Sequence, residues 1–204
     1  MKPPLPRLHA ITDERIARRP DLDHIAAKLG SVGDDLAIHA RGPSLTGLEH
    51  YQLANRLSAY PSIRLFVNDR LDVALATGAT GVQLRGDSLS VADARRLRAD
   101  WLIGRSVHSL EEARASQTEG ADYLVVGPMF DTATHPGSPT LTADTLRAIA
   151  RLGLPVIGIG GVTVDRVPTL RQAGVYGVAA IRALWDAPHP AESARALLAA
   201  LDAA

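Results

Sequence analysis

The chain has 204 residues, 46% of them hydrophobic, with 22 basic and 22 acidic side chains in balance. That length and apolar content suit one domain with a sizeable core, and the charge balance argues against a nucleic-acid footprint. Cysteine is absent, which excludes disulfides, thiolate catalysis and cysteine-ligated metal. Residues 1–7 lack the apolar stretch of a signal peptide and no apolar run reaches the length of a membrane span, so a soluble cytoplasmic protein is expected.

Short β-rich runs alternate with longer helical patterns along the whole chain. Strands are predicted at Leu8–Ile11, Leu36–His39, Ile63–Val67, Gly81–Leu84, Trp101–Ile103, Tyr123–Val126, Val156–Ile159 and Gly177–Ala180, with a helical pattern in each gap. Ser90 and Ser109 offer capping boxes, through Asp93 and Glu112, and Thr142 starts a helix with an acidic first turn. Gly30, Gly78, Gly120, Gly153 and Gly174 fall where a helix C-cap needs a left-handed residue. Eight such alternations without a long linker predict a single (β/α)8 TIM barrel of parallel strands over about 8–185, with a C-terminal helix over about 190–203. An open doubly wound sheet is the alternative; it would lack a contact between the first and last strands.

In a barrel of this kind, chemistry collects at the C-terminal ends of the strands. Thr12 and Asp13 follow the first strand, and His39 and Arg41 the second. Asn68, Asp69 and Arg70 follow the third, Gln83, Arg85 and Asp87 the fourth, and Ser106 and His108 the fifth. Arg41 could hold a phosphate or carboxylate through its planar guanidinium, or be an ordinary surface arginine. Asp69 and Asp87, on neighbouring strands, could share a Mg²⁺ that also grips a diphosphate. Taken alone, Asp69 reads better as a helix cap or a partner of Arg70. The sixth strand opens into a long polar segment in which Thr132 and Thr134 offer hydroxyls and His135 a group that titrates near neutral pH; a turn-rich loop is the plainer reading. His39 and His108 offer acid–base groups, whereas His9 reads as a satisfied core histidine.

The seventh strand ends in Gly158-Ile159-Gly160-Gly161. Paired glycines leave backbone N–H groups bare and let a ligand approach closely. The eighth opens into Ile181-Arg182. Two such ends, late in a βα series, are where these barrels hold a phosphate. The chain therefore reads as an enzyme-type barrel for a small phosphorylated ligand.

Five segments in order resemble the thiamine phosphate synthase superfamily, from Leu8 to about Leu184. They are Leu8-His9-Ala10-Ile11-Thr12-Asp13, Val67-Asn68-Asp69-Arg70-Leu71-Asp72-Val73-Ala74, the run from Ile103 to Ala113, the run from Gly120 to Phe130, and the run from Pro155 to Thr163. The first and third look most like the TenI branch, which includes thiazole tautomerases. The synthase joins a pyrimidine diphosphate to a thiazole phosphate and releases diphosphate. By this resemblance Asp69 and Asp87 match its Mg²⁺ ligands. Arg41, Asn68, Ser106, Thr132 and Thr134 match contacts to diphosphate or substrate, and Gly161 and Ile181 match the thiazole-phosphate site.

The chain also departs from the synthase pattern. The family's glutamine after the second strand is His39 here, a nearby lysine falls at Pro43, and the lysine of the sixth loop falls at His135. Arg182 stands where the synthase has a small hydroxyl residue. These losses among diphosphate contacts favour a TenI-like thiazole tautomerase, which aromatises a carboxythiazole phosphate by moving a proton. The branch's acid–base histidine would fall at Pro128, so His135 and then His39 are the expected acid–base groups. A Mg²⁺-dependent thiamine phosphate synthase is one alternative, and a non-catalytic regulator that binds thiazole or thiamine phosphate is another. The expected partner is a small phosphorylated thiazole, with Mg²⁺ as cofactor only under the synthase reading. Exposed apolar helix surface leaves room for a homodimer.

Overall fold

The computed structural model describes residues 2–131 and 140–203. Its strands are β1 (Leu8–Ile11), β2 (Leu36–Ala40), β3 (Arg64–Asn68), β4 (Gly81–Leu84), β5 (Leu102–Val107), β6 (Tyr123–Val126), β7 (Val156–Ile159) and β8 (Gly177–Ala180). All are parallel and paired in chain order, and β1 pairs with β8. Ala10 lies opposite Ala180, the closing contact that an open sheet would lack. The helices are α1 (Glu14–Ala17), α2 (Leu22–Gly30), α3 (Gly47–Ser58), α4 (Leu71–Ala76), α5 (Val91–Leu97), α6 (Leu110–Thr118), α7 (Ala143–Ala150), α8 (Val167–Gln172), α9 (Arg182–Trp185) and α10 (Pro190–Asp202). Among the described residues, no helix is long and apolar enough to cross a membrane.

Ser90, Ser109 and Thr142 accept the N–H groups of Asp93, Glu112 and Thr145, each cap contributing about 1 kcal/mol. The reciprocal half of the expected capping boxes does not form at the two serines: Asp93 accepts the Ser90 hydroxyl and Glu112 the His108 N–H. Gly78, Gly120, Gly153 and Gly174 all take positive φ. Gly30 does not: it is the last residue of α2, and the chain turns instead at Gly33, with φ 112°. The fifth strand runs well past the predicted Trp101–Ile103. Its later residues Gly104 and Ser106 are small or polar because they line the barrel interior, so the apolar signal fades there.

Alternate side chains on each strand face opposite ways, which divides the core in two. Leu8, Ile38, Val67, Val82, Ile103 and Val178 pack outward under the helices. Inside the barrel, Phe66 and Tyr123 meet edge to face, with centroids 6.1 Å apart, and His39 stacks on Phe66 at 5.0 Å. The strands beside them carry glycine to make room. A Cβ on Gly81 would lie 2.5 Å from Phe66 Cε1, and one on Gly104 would lie 2.2 Å from both Gln83 Oε1 and Tyr123 Cζ. Above this aromatic floor, at the C-terminal rim, the inward residues turn polar: His39, Asn68, Gln83 and Ser106.

Candidate functional site at the barrel mouth

On the first side, Thr12 staples β1 to the end of β2. Its Oγ1 accepts the Arg41 N–H at 2.8 Å and lies 2.7 Å from the Arg41 carbonyl oxygen. This fixes the backbone from which the half-buried Arg41 side chain springs. Burial pushes the Arg41 pKa down from the ordinary arginine value, and the carboxylates of Glu14, Asp13 and Asp69 oppose that shift. Among the described residues no hydrogen bond or ion pair claims its guanidinium. A partly desolvated, unpaired guanidinium is suited to an incoming anion.

Asp69 is the most constrained residue of the mouth. Among the described residues it alone, other than glycines, has positive φ, at 59°. That conformation costs an L-residue roughly 1–2 kcal/mol, and such strain clusters at functional sites. Its effect here is to turn the carboxylate across to the end of β4. Oδ1 accepts the Arg85 N–H at 2.9 Å, and Oδ2 meets Arg85 Nε at 2.9 Å. The exposed Asp87 approaches the same Nε at 3.5 Å. Two carboxylates thus converge on one guanidinium. The expected capping role is corrected: α4 has Arg70 at its N-cap with no side-chain cap, and Arg70 pairs with Asp72 rather than Asp69.

These two carboxylates define what cation the site suits. Among the described residues no group of three or more His, Asp or Glu side chains converges to hold a metal. Mg²⁺ is usually bound by one or two carboxylates, with phosphate oxygens and waters completing its shell. Asp69 and Asp87 fit a cation that arrives with a phosphate-bearing ligand.

His39 is fully buried, and both its nitrogens are engaged. Nε2 lies 2.8 Å from His9 Nδ1, and Nδ1 lies 3.0 Å from Asn68 Oδ1. Burial, and then the neighbouring His9, holds its pKa well below the usual histidine value. His9 is pushed down to about 4, chiefly by burial. This placement corrects the expectation that His39 is an acid–base group: it lies beneath the mouth and reaches it only through Asn68. His9 is the satisfied core histidine expected, its Nε2 lying 2.9 Å from the Pro6 carbonyl oxygen. Ser106 Oγ accepts from Gln83 Nε2 at 2.9 Å, which leaves its own O–H for a ligand. His108 is exposed and donates from Nδ1 to the Gly127 carbonyl at 2.7 Å. Thr132, Thr134 and His135 lie outside the described residues.

On the second side, β7 and β8 finish as neighbours, with Ile159 opposite Ala179. Gly160 and Gly161 have φ of 100° and 64°. A Cβ on Gly160 would lie 2.8 Å from Pro128 Cβ, and one on Gly161 would lie 2.6 Å from the Asp131 carbonyl oxygen. Arg166 pins this loop: it donates to the Gly161 carbonyl at 2.7 Å, and its guanidinium sits 4.7 Å from the centroid of the Phe130 ring. Among the described residues no carbonyl accepts the N–H groups of Gly161 or Arg182. The Arg182 side chain is exposed. Gly160 and Gly161 follow β7, and Ile181 and Arg182 follow β8, its neighbour in the barrel.

A family model described as thiamine monophosphate synthase matches residues 8–184. The chain belongs to the thiamine monophosphate synthase family. The thiamine-phosphate synthase of Salinispora tropica is 40% identical over 204 residues, covering 97% of this chain and 98% of its own. That of Pyrococcus abyssi is 35% identical over 185 residues, covering 89% of this chain and 87% of its own. A solved thiamine phosphate pyrophosphorylase from Pyrococcus furiosus shares the fold with a TM-score of 0.83 at 29% identity, covering 97% of this chain and 96% of the other. A 3-hexulose-6-phosphate synthase, at 20% identity and a TM-score of 0.71, shares the barrel alone. The synthase names of the family relatives favour the synthase alternative over the tautomerase expectation.

His9 and Gln83, which hold Asn68's neighbour His39 and Ser106, were not singled out by the sequence pattern for these roles. The available signal was strand alternation, which sets His9 on the same face as Ile11, His39 on the same face as Ala37 and Asn68 on the same face as Phe66.

Proposed function

We propose that this protein is a Mg²⁺-dependent thiamine phosphate synthase, coupling hydroxymethylpyrimidine diphosphate with thiazole phosphate. The observation that carries this reading is the strained Asp69, whose carboxylate meets that of Asp87 across Arg85 at the ends of β3 and β4. A tautomerase has no use for that arrangement; a departing diphosphate does.

The thiazole nitrogen forms a bond to the pyrimidine methylene carbon while the bond from that carbon to the diphosphate oxygen breaks. The electron pair leaves with the diphosphate. Asp69 and Asp87 would hold Mg²⁺, which supplies charge neutralisation to the diphosphate. Arg41 and the Ser106 hydroxyl face the same leaving group, as preorganised donors aimed where charge develops. By family resemblance Thr132, Thr134 and His135 belong to this side. The amides of Gly161 and Arg182, with the Arg182 side chain, hold the phosphate of the thiazole. That phosphate keeps its charge through the reaction, so it needs positioning rather than neutralisation.

Purified protein mixed with both substrates should release diphosphate and form thiamine phosphate only when Mg²⁺ is present. No product at saturating substrates, with aromatisation of a carboxythiazole phosphate in its place, would return the tautomerase reading.

A further inference from the structure

The buried column Pro6–His9–His39–Asn68 decides which end of the Asn68 amide faces the mouth. A backbone carbonyl can only accept, so at 2.9 Å from Pro6 O the His9 Nε2 carries a proton. A neutral His9 then offers a lone pair at Nδ1. His39 Nε2, 2.8 Å away, must donate to it. A neutral His39 is left with a lone pair at Nδ1, 3.0 Å from the Asn68 carboxamide. A lone pair is met by the amide NH₂ and not by its oxygen. Half a turn of the carboxamide exchanges Oδ1 and Nδ2 in the same space and satisfies every bond in the column.

The column has no reason to hold a further proton. Both rings are fully buried and among the described residues neither touches a carboxylate, while the nearby charges are the cations Arg41 and Arg64. His39 lies flat against the Phe66 ring, 14° from parallel, and is not free to turn.

We propose that His39 is a positioning residue which, fixed by His9, holds Asn68 by its NH₂ and presents Asn68 Oδ1 to the mouth as a hydrogen-bond acceptor. The ligand group that Asn68 meets is then an N–H or O–H donor, not a bare phosphate oxygen. Under the synthase reading, on which this identity rests, the donor is an amino group of the heterocycle or a water held by the divalent cation. Position 68 thereby selects the organic or hydrated part of the substrate assembly, while Arg41 and Ser106 are left to the phosphate oxygens.

Nitrogen NMR of the imidazoles in the ligand-free full chain at neutral pH tests the column without any substrate. The expected spectrum shows His9 and His39 each protonated at Nε2 and bare at Nδ1. A proton on His39 Nδ1, in a neutral or a doubly protonated ring, would overturn the proposal. Two additions then identify the donor: Mg²⁺ with inorganic diphosphate, or an aminopyrimidine without phosphate. A shift of the Asn68 side-chain amide with one of these supports the proposal and names the source. A shift with diphosphate in the absence of divalent cation, or no shift with either addition, would contradict it. Failure of the synthase reading looks different: the tautomer pattern stands and no coupled product forms.

Discussion

The two sides of the mouth handle negative charge by opposite means. At the ends of β2 to β4 the chain sets carboxylates among arginines, with Asp69 and Asp87 on Arg85 and, nearby, an Arg41 guanidinium unclaimed among the described residues. At the ends of β7 and β8 it offers backbone N–H groups and one exposed arginine, over a loop that only glycine can form. A side that carries its own negative charge is made for a ligand that brings a cation. A side of amides and arginine is made for a bare anion. On the proposed synthase reading, one side takes the phosphate that leaves and the other the phosphate that stays.

The largest expected effect removes the cation side while leaving the backbone in place. Asparagine tolerates the left-handed region and can still accept the Arg85 N–H, so Asp69→Asn should fold normally. Coupling turnover should fall by about two to three decades, the scale set by loss of a group that stabilises transition-state charge. Near-normal turnover would break the assignment of the two sides.

Acid acts on the buried histidine pair at the centre of the barrel, of which His39 reaches the first side through Asn68. The pKa of His9 is about 4 when folded, against about 6.5 for a free histidine. As pH falls through that window, the unfolded chain takes up a proton that the folded chain refuses. Stability is therefore full above about 6.5 and is lost progressively toward 4, by up to roughly 3 kcal/mol from His9; His39 shifts in the same direction. Urea unfolding at steps of pH should show this loss, and His9→Gln should flatten it.

The anion side should respond separately. Gly161→Ala places a methyl against the Asp131 carbonyl oxygen at positive φ, costing roughly 1–3 kcal/mol of stability. It should also abolish stabilisation by thiazole phosphate. The smallest effect belongs to Arg182→Ala. Its exposed side chain has no structural partner among the described residues, so the melting point should hold while KM for thiazole phosphate rises about tenfold at unchanged kcat.

Much of this was legible in the chain. Five of the eight strands have the bounds their apolar runs predict, because outward-facing residues pack under helices and advertise burial. The glycines at 160 and 161 announced a sharp turn at the end of β7, and both take positive φ. The other side was harder to read. Asp69 followed a strand and preceded a helix, which is where a cap belongs, and nothing in the sequence says that an aspartate takes positive φ. His39 looked like a mouth histidine because it stands where the family has a polar side chain. Its partner, His9, is brought to it only by the β1–β2 register, which pairs Ile11 with His39 and sets both rings inward. Polar residues inside a barrel carry no apolar signal, so the layer that orients the site is the one sequence patterning shows least.

The most direct test of this division of labour is a thermal-shift comparison of wild type, Asp69→Asn and Arg182→Ala with two ligands: inorganic diphosphate plus Mg²⁺, and thiazole phosphate alone. A ligand that binds only the folded chain raises its melting point. Asp69→Asn should lose the first shift and keep the second, and Arg182→Ala should keep the first and show the second reduced, as tenfold weaker binding requires. If either variant weakens both shifts together, or each leaves both undiminished, the mouth does not have two independent sides.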